Sequence, residues 1–154
     1  DLYLLAEETV RLLAAEAGRA EVELALRGEE ACVYGNRQLL ESILYNLCDN
    51  AIKYNRKGGT AVVEVRQEEG RCVLSVADSG IGIPQEHQKR IFERFYRVDK
   101  SHSKAIGGTG LGLSIVKHAV MLHKAELSLQ SEMGKGTVVR VLFGKKGDAL
   151  FCRL

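Results

Sequence analysis

Four short segments of the chain carry side chains and glycines that could bind a metal ion and phosphate groups. They are residues 46–54, 78–84, 91–97 and 107–113. The first holds two amides and an ammonium, and the second holds a carboxylate followed by glycines. The third is aromatic and basic, and the fourth is rich in glycine. Amide oxygens, guanidinium groups and glycine-rich helix starts are recurrent ligands of metals and anions, so the four segments predict one composite site.

The first segment lies on a predicted helix that Asn36 caps and that runs to about Tyr54. On this helix Asn46, Asn50 and Lys53 form a narrow arc beside a wider apolar arc. Mg²⁺ takes oxygen ligands and few protein groups, which suits the amide of Asn50, and Lys53 can place its charge on a phosphate. Tyr54 could lay its ring against a base or ribose. The alternative is that the two asparagines are plain surface amides. The apolar arc consists of Leu40, Ile43, Leu44, Leu47, Ala51 and Tyr54.

The second segment places Asp78 at the end of an apolar strand, where a carboxylate is unfavourable unless it is paired. The amino group of adenine is a suitable partner. Gly80 and Gly82 permit positive φ and a close approach of backbone to a flat ring. An ordinary Asp-Ser-Gly turn is the alternative explanation.

The third segment contains Arg97, whose guanidinium fork matches phosphate oxygens and stabilises charge during phosphoryl transfer. Arg94 is a weaker candidate for this role. Phe92 and Phe95 are expected to pack beneath the polar loop that follows, which covers residues 97–108.

The fourth segment opens a predicted helix from about Thr109 to Lys124 with glycines before and inside its first turn. Free backbone N–H groups and the helix dipole bind anions there, and Thr109 is expected to cap the helix. The glycine spacing does not match the dinucleotide-binding or P-loop pattern. The ligand-binding positions predicted in this segment are Gly108, Thr109, Gly110, Leu111, Gly112 and Leu113.

Strands joined by hairpins, with helices between the pairs, predict an α+β fold, a two-layer α/β sandwich. The chain of 154 residues is expected to form one domain over residues 1–144 with a tail over 145–154. Hydrophobic periodicity predicts helices over 5–17, 37–54, 84–90 and 109–124, the last burying Leu111, Ile115, Ala119 and Leu122. It predicts strands over 22–26, 32–34, 60–66, 71–77, 125–131 and 136–143.

In this order, the four segments resemble the ATP-binding catalytic domain of sensor histidine kinases, within the GHKL (Bergerat) ATPase superfamily. The resemblance implies a mixed sheet with helices on one face, and ATP and Mg²⁺ as ligands. It implies that Asn50 binds the metal, that Asn46 and Lys53 contact phosphate, that Asp78 accepts from adenine, and that Arg97 contacts the γ-phosphate. Residues 98–104 also resemble the lid of Gram-positive phosphate-sensing and cell-wall-sensing kinases.

The resemblance also implies which partners are needed. The family carries its phospho-accepting histidine, followed by an acidic residue, on a separate dimerising helical hairpin. None of His87, His102, His118 and His123 is followed by an acidic residue, so all four are expected to be surface or lid residues. The implied partners are that hairpin, expected upstream of Asp1, and a response regulator. The implied setting is the cytoplasmic part of a membrane-anchored bacterial sensor kinase, with this domain alone a monomer.

The residues alone leave two other functions possible. Hydrolytic ATPases and serine kinases of the same fold carry a glutamate one helical turn before the metal-binding asparagine, where this chain has Asn46. Asp49 points about 100° away from Asn50 around the helix, so a local general base is not expected. A non-catalytic module that binds nucleotide or a partner is the third possibility. A net charge of +2 gives no reason to expect nucleic acid or direct membrane contact.

Overall fold

A computed structural model describes residues 1–98 and 109–144. In chain order the described residues form α1 (Leu2–Arg19), β1 (Glu23–Gly28), α2 (Arg37–Lys53), β2 (Thr60–Glu68), β3 (Arg71–Asp78), α3 (Gln85–Gln88), α4 (Gly112–Leu122), β4 (Glu126–Glu132) and β5 (Gly136–Phe143). The predicted tail, residues 145–154, and most of the predicted polar loop lie outside the described residues.

The strands form a single mixed sheet in the order β1-β2-β3-β5-β4. β1 and β2 are parallel, and the remaining neighbours are antiparallel. This order places β5 between β3 and β4, so that Asp78 at the end of β3 lies opposite Ala61 of β2 and Thr137 of β5. The α+β prediction is confirmed, and the sheet order decides which backbone groups surround Asp78.

α1, α2 and α4 cover one face of the sheet, and α2 is the central helix of this layer. Alternate residues of the strands supply the buried side chains of that face: Ala61, Val63, Val65, Leu74, Val76, Val139 and Val141. On α2, Ile43 and Leu44 are completely buried, and Tyr54 at the end of the predicted apolar arc is partly exposed. The opposite face of the sheet carries Arg66 and Arg140, both paired with Glu68.

Local sequence signals place the helix and hairpin ends well. Asn36 caps α2, because its side-chain oxygen accepts the backbone N–H of Leu39 at 3.1 Å. β2 and β3 are joined at Glu69 and Gly70, which have φ of 51° and 79°. Positive φ at both turn residues matches the twist of the two strands, so the predicted hairpin is confirmed.

Three predictions about the elements are wrong. Residues 32–34 form no strand: they lie in the connection from β1 to α2, which Ala31 joins to the start of α1 by accepting the N–H of Leu2 and which ends at the α2 cap, Asn36. The helix predicted over 84–90 is only α3, four residues long. α4 begins at Gly112, not Thr109, and buries Val116, Ala119 and Val120, whereas Ile115 and Leu122 are exposed.

His123 is the fourth exception, since it is buried and not a surface residue. Its Nδ1 donates to the carbonyl of Ala119 at 2.7 Å, and its Nε2 accepts the N–H of Asn36 at 3.2 Å. The imidazole therefore joins the end of α4 to the cap of α2. Gly35 permits this contact, because a Cβ there would lie 2.3 Å from the ring.

Among the helices of the described residues, none is both long enough and apolar enough to cross a lipid bilayer.

The burial of Leu44 on α2 generates a prediction about stability. We expect Leu44→Ala to lower the free energy of unfolding by about 2–5 kcal/mol, because truncation leaves a cavity in the packed core. Chemical denaturation with circular dichroism measures the change. Leu12→Ala is the matched control, since Leu12 is 70% exposed and should cost less than about 0.5 kcal/mol. Equal effects of the two substitutions would contradict the packing described for α2.

Candidate functional site

Two amides of α2 meet the start of α4 at Gly112. The Nδ2 of Asn46 donates to the carbonyl of Ser42 at 2.7 Å, which orients the side chain. A Cβ placed on Gly112 would lie 2.9 Å from Oδ1 of Asn46 and 3.7 Å from Nδ2 of Asn50. A side chain at position 112 would therefore have to displace the amide of Asn46. The contact places two amides beside the N-terminal turn of a helix.

The first turn of α4 has no side-chain cap. The cap position is Leu111, which makes no side-chain cap hydrogen bond. The prediction that Thr109 caps the helix is wrong, because Gly110, with φ of 72°, turns the chain before the helix begins. Leu113 packs against the core and anchors this turn. The uncapped N–H groups and the helix dipole provide an anion-binding start next to the amides of α2. Gly108 lies outside the described residues.

Asp78 ends β3 on the face of the sheet that the helices cover. Its Oδ1 accepts two backbone N–H groups, from Gly80 at 2.8 Å and from Thr137 at 3.2 Å. Burial raises the pKa of this carboxyl above its ordinary value, although the two hydrogen bonds act in the opposite direction. The carboxylate is thus oriented by backbone on both sides, and both described bonds fall on the same oxygen.

The turn after Asp78 is held between the end of α2 and the β4–β5 hairpin by close backbone contacts. A Cβ on Gly80 would lie 2.2 Å from the carbonyl oxygen of Tyr54, which also accepts the N–H of Ile81 at 3.0 Å. Gly82 has φ of 71°, and a Cβ there would lie 2.1 Å from the carbonyl oxygen of Glu132. Gly80 is therefore required by the close approach alone, and Gly82 by both the approach and its positive φ.

Lys53 is bound by Asp49 in this structure. Its Nζ lies 2.7 Å from Oδ2 of Asp49, and the two side chains are 30% and 14% exposed. The hydrogen bond to Asp49 is the largest cause of the raised pKa of Lys53. A contact between Lys53 and a phosphate would require the ammonium to leave Asp49 or to be shared with it.

Arg97 lines a cleft of about 390 Å³ with two further arginines, Arg90 and Arg94, and with Tyr96. Arg90 lies over the Tyr96 ring at 4.3 Å, and the Tyr96 hydroxyl meets Nδ1 of His87 at 2.6 Å. Glu93 lines the same cleft and pairs with Arg90 at 3.4 Å, so three guanidinium groups face one carboxylate there, an excess of positive charge that favours an anionic ligand.

Phe95 connects this cleft to α4. Its N–H donates to the carbonyl of Gly110 at 2.9 Å, which ties the segment of Arg97 to the glycines before the helix. The expectation that Phe95 packs beneath the following loop is wrong, since its side chain is 71% exposed and its φ is 62°. Phe92 is half-buried.

Sequence reasoning missed two residues that shape the region of Asp78. Thr137 supplies one of the two N–H groups that hold the carboxylate, and only the strand order reveals it. Arg56 donates to the carbonyls of Ser79 at 2.7 Å and Gly80 at 3.2 Å, and to Gly134. An arginine after a helix is an ordinary surface residue by sequence, so no local signal identifies it.

Comparison with known proteins agrees with this arrangement. Residues 35–146 match the family described as histidine kinase-, DNA gyrase B- and HSP90-like ATPase. Over 105 residues the chain is 45% identical to the sensor-like histidine kinase SenX3 of Mycolicibacterium smegmatis, a match that covers 68% of this chain and 27% of SenX3. The chain therefore spans about a quarter of that relative.

Two solved structures have a similar fold. The mycobacterial sensor histidine kinase MprB superposes with a TM-score of 0.78 at 28% identity, over 93% of each chain. Full-length ShkA in complex with AMPPNP superposes with a TM-score of 0.80 at 26% identity, over 93% of this chain and 30% of ShkA.

The buried carboxylate of Asp78 generates a prediction about pH. Burial raises the folded-state pKa of Asp78 above its unfolded-state pKa, so the fold favours the protonated carboxyl. The contribution of Asp78 to stability is therefore fully present at low pH, where Asp78 is protonated, and is lost as the pH rises through the folded-state pKa. We expect Asp78→Asn to be more stable than the wild type at pH 7, since the amide keeps an oxygen for Gly80 and Thr137. The difference should shrink as the pH is lowered to about 4.

Denaturation midpoints across this pH range measure the effect. Asp49→Asn is the control, because neutralising Asp49 removes the partner of Lys53 and should not stabilise the fold at pH 7. A wild type that is more stable than Asp78→Asn at pH 7 would refute the assignment of a burial cost to Asp78.

Proposed function

The chain belongs to the family of histidine kinase-, DNA gyrase B- and HSP90-like ATPases, and we propose on this basis that it binds MgATP and donates the γ-phosphate to a histidine. The acceptor would lie on a dimerising helical hairpin of the same kinase, and a response-regulator aspartate would receive the phosphate next. Such a domain would face the cytoplasm in a membrane-anchored bacterial sensor kinase.

The contact of Gly112 with Asn46 and Asn50 is the observation that carries this proposal. It puts the amide oxygen of Asn46 and the amide group of Asn50 next to the N-terminal turn of α4, and amide oxygens suit Mg²⁺ while helix N-termini suit phosphate. Asn50 would hold the metal and Asn46 would contact a phosphate. When bound, Mg²⁺ neutralises charge on the phosphate oxygens. That a relative of similar fold was solved with AMPPNP, an ATP analogue, supports the same ligand.

The adenine would lie at the opposite end of the site, on Asp78. With Oδ1 occupied by two N–H groups, the second oxygen can accept from the exocyclic amine of adenine. Guanine carries a carbonyl at that position, which would repel the carboxylate, so ATP is preferred over GTP. Tyr54, Gly80 and Gly82 would form the surface against which the base and ribose lie.

The phosphates would lie between the start of α4 and the arginine cleft. The backbone of residues 108–113 would bind them through N–H groups, and Arg97 would stabilise the charge on the γ-phosphate during transfer. Lys53 is the remaining cation of α2 and would move from Asp49 to the phosphates.

Transfer is favoured over hydrolysis because the site lacks a free carboxylate beside Asn50 among the described residues. The position one turn earlier is Asn46, and Asp49 is bound to Lys53 at 2.7 Å. Within the described chain, His87 and His123 already hydrogen-bond other groups. An acceptor imidazole from another domain, itself a nucleophile, would complete the reaction.

We expect calorimetric titration with a non-hydrolysable ATP analogue to show Mg²⁺-dependent binding that is weaker for the GTP analogue. Asn50→Ala should weaken binding in the presence of Mg²⁺ about tenfold to a hundredfold, because an amide ligand to a charged group is lost. Asn36→Ser is the matched control, since it changes an asparagine of α2 outside the site and keeps the cap. Equal affinity of Asn50→Ala and wild type would refute the metal assignment.

A chimera tests the reaction. We expect SenX3 in which this chain replaces the matching segment to take up the label from ATP labelled at the γ-phosphate, in an acid-labile form typical of phosphohistidine. The same chimera carrying Asn50→Ala should not be labelled. The isolated domain should bind ATP but release almost no phosphate. Steady phosphate release by the isolated domain would instead support a hydrolytic ATPase, and absence of nucleotide binding would support a non-catalytic module.

A further inference from the structure

Arg56 lies just beyond the end of α2, and its guanidinium bridges two separate turns. Nε donates to the carbonyl of Ser79 at 2.7 Å, and Nη2 donates to the carbonyls of Gly80, at 3.2 Å, and Gly134. All three acceptors are backbone oxygens. A planar fork of donors can hold several carbonyls at once, which a single ammonium cannot do.

The two turns that Arg56 joins are the ones that hold the carboxylate of Asp78. Gly80 donates its N–H to Oδ1 of Asp78. Gly134 lies at the tip of the β4–β5 hairpin, whose strand β5 supplies the second N–H, from Thr137. Arg56 therefore bonds to both pieces of backbone that orient one carboxylate.

Besides Arg56, the side chain of Gln88 joins these two segments, because its Nε2 donates to the carbonyls of Ile83 and Ser131, both at 2.9 Å, but glycine occupies several positions of the turns themselves. Gly82, Gly134 and Gly136 have φ of 71°, 78° and 109°, a region that only glycine occupies easily. Glycine loses more conformational entropy on ordering than any other residue. Hydrogen bonds between the two glycine-rich turns are therefore needed to hold them in one position. Besides Arg56, the described bonds between the two turns include the N–H of Gly134 to the carbonyl of Ile81 at 2.8 Å.

The backbone of Arg56 is itself anchored. Its N–H donates to the side chain of Asn55 at 2.9 Å, and its carbonyl accepts the N–H of Gly59 at 2.9 Å. The amide of Asn55 in turn donates to Ala51 in α2 and to Thr60 in β2. These hydrogen bonds fix the backbone of Arg56 between α2 and β2, and this limits where its guanidinium can lie.

We infer that Arg56 is a positioning residue for purine recognition: it holds the turn after Asp78 against the β4–β5 hairpin so that the carboxylate faces the base. The inference rests on the proposed function, since it assumes that Asp78 reads adenine. The side chain of Arg56 is exposed, and its described hydrogen bonds are to carbonyls of turns and not to groups of the apolar core, so its loss should alter the turn far more than the stability of the fold.

The experiment compares Arg56→Ala, Arg56→Lys and the neighbouring control Lys57→Ala. Lys57 is equally exposed but pairs with Glu21, away from the turn. In titrations with Mg²⁺, Arg56→Ala should bind the ATP analogue about tenfold more weakly, whereas binding of the GTP analogue and of inorganic tripolyphosphate should change little. Arg56→Lys should recover part of the loss, and Lys57→Ala should match the wild type.

Amide hydrogen exchange of the ligand-free proteins tests the positioning itself. The N–H groups of Gly80 and Thr137 should exchange faster in Arg56→Ala, while core amides such as that of Val141 should keep their protection. Unchanged exchange at Gly80 and Thr137, or an equal loss of affinity for all three ligands, would overturn the inference. If the wild type binds no adenine nucleotide while the exchange result holds, the proposed function fails and the structural role of Arg56 remains.

Discussion

The close approach of α4 to α2 at Gly112 is the contact on which the rest of the site depends. A Cβ on Gly112 would lie 2.9 Å from Oδ1 of Asn46, so any larger residue there would displace the Asn46 side chain. The approach is possible because α2 is anchored to the sheet by completely buried residues such as Leu44, and α4 packs beside it through Val116. The buried His123 adds a hydrogen-bonded connection from the end of α4 to the cap of α2. Rigid packing of two helices thus holds the polar groups that we propose for binding a metal and phosphates.

Asp78, which we propose lies at the other end of the site, is governed by the cost of burying a charge and not by helix packing. A carboxylate on the covered face of the sheet is unfavourable, and burial raises its pKa accordingly. Two backbone N–H groups offset part of that cost while they orient the group. Asp78 lowers the stability of the fold, yet the N–H groups of Gly80 and Thr137 fix its orientation. This combination is typical of a residue that binds a ligand. The glycines around it allow the backbone of α2 and of the β4–β5 hairpin to come close.

The charged residues between these two ends are engaged with other groups in this structure. Lys53 is bound by Asp49, Arg90 lies over Tyr96, and Arg56 spans two turns. Lys53 is held by a residue one helical turn away, and Arg56 is held by turns that are distant in the sequence. Charge alone therefore does not distinguish a ligand-binding cation from a structural one. The Asp49–Lys53 pair also removes the only carboxylate adjacent to Asn50 on α2, which favours transfer to an outside acceptor.

The elements that build the site could be predicted from the sequence because their signals are local. Apolar periodicity, the Asn36 cap and the Glu69-Gly70 turn depend on residues a few positions apart, and α2 and the β2–β3 hairpin formed as expected. The predicted start of α4 at Thr109 was wrong because Gly110 turns the chain before the helix, and its carbonyl accepts the N–H of Phe95 from a distant segment. The strand predicted over 32–34 was also wrong, since this stretch lies in the connection from β1 to α2. Only the tertiary structure placed β5 beside β3, Gly112 against Asn46, and Arg56 on the turn after Asp78. Those contacts join residues far apart in the chain, so they follow from how helices and sheet pack and not from any local spacing.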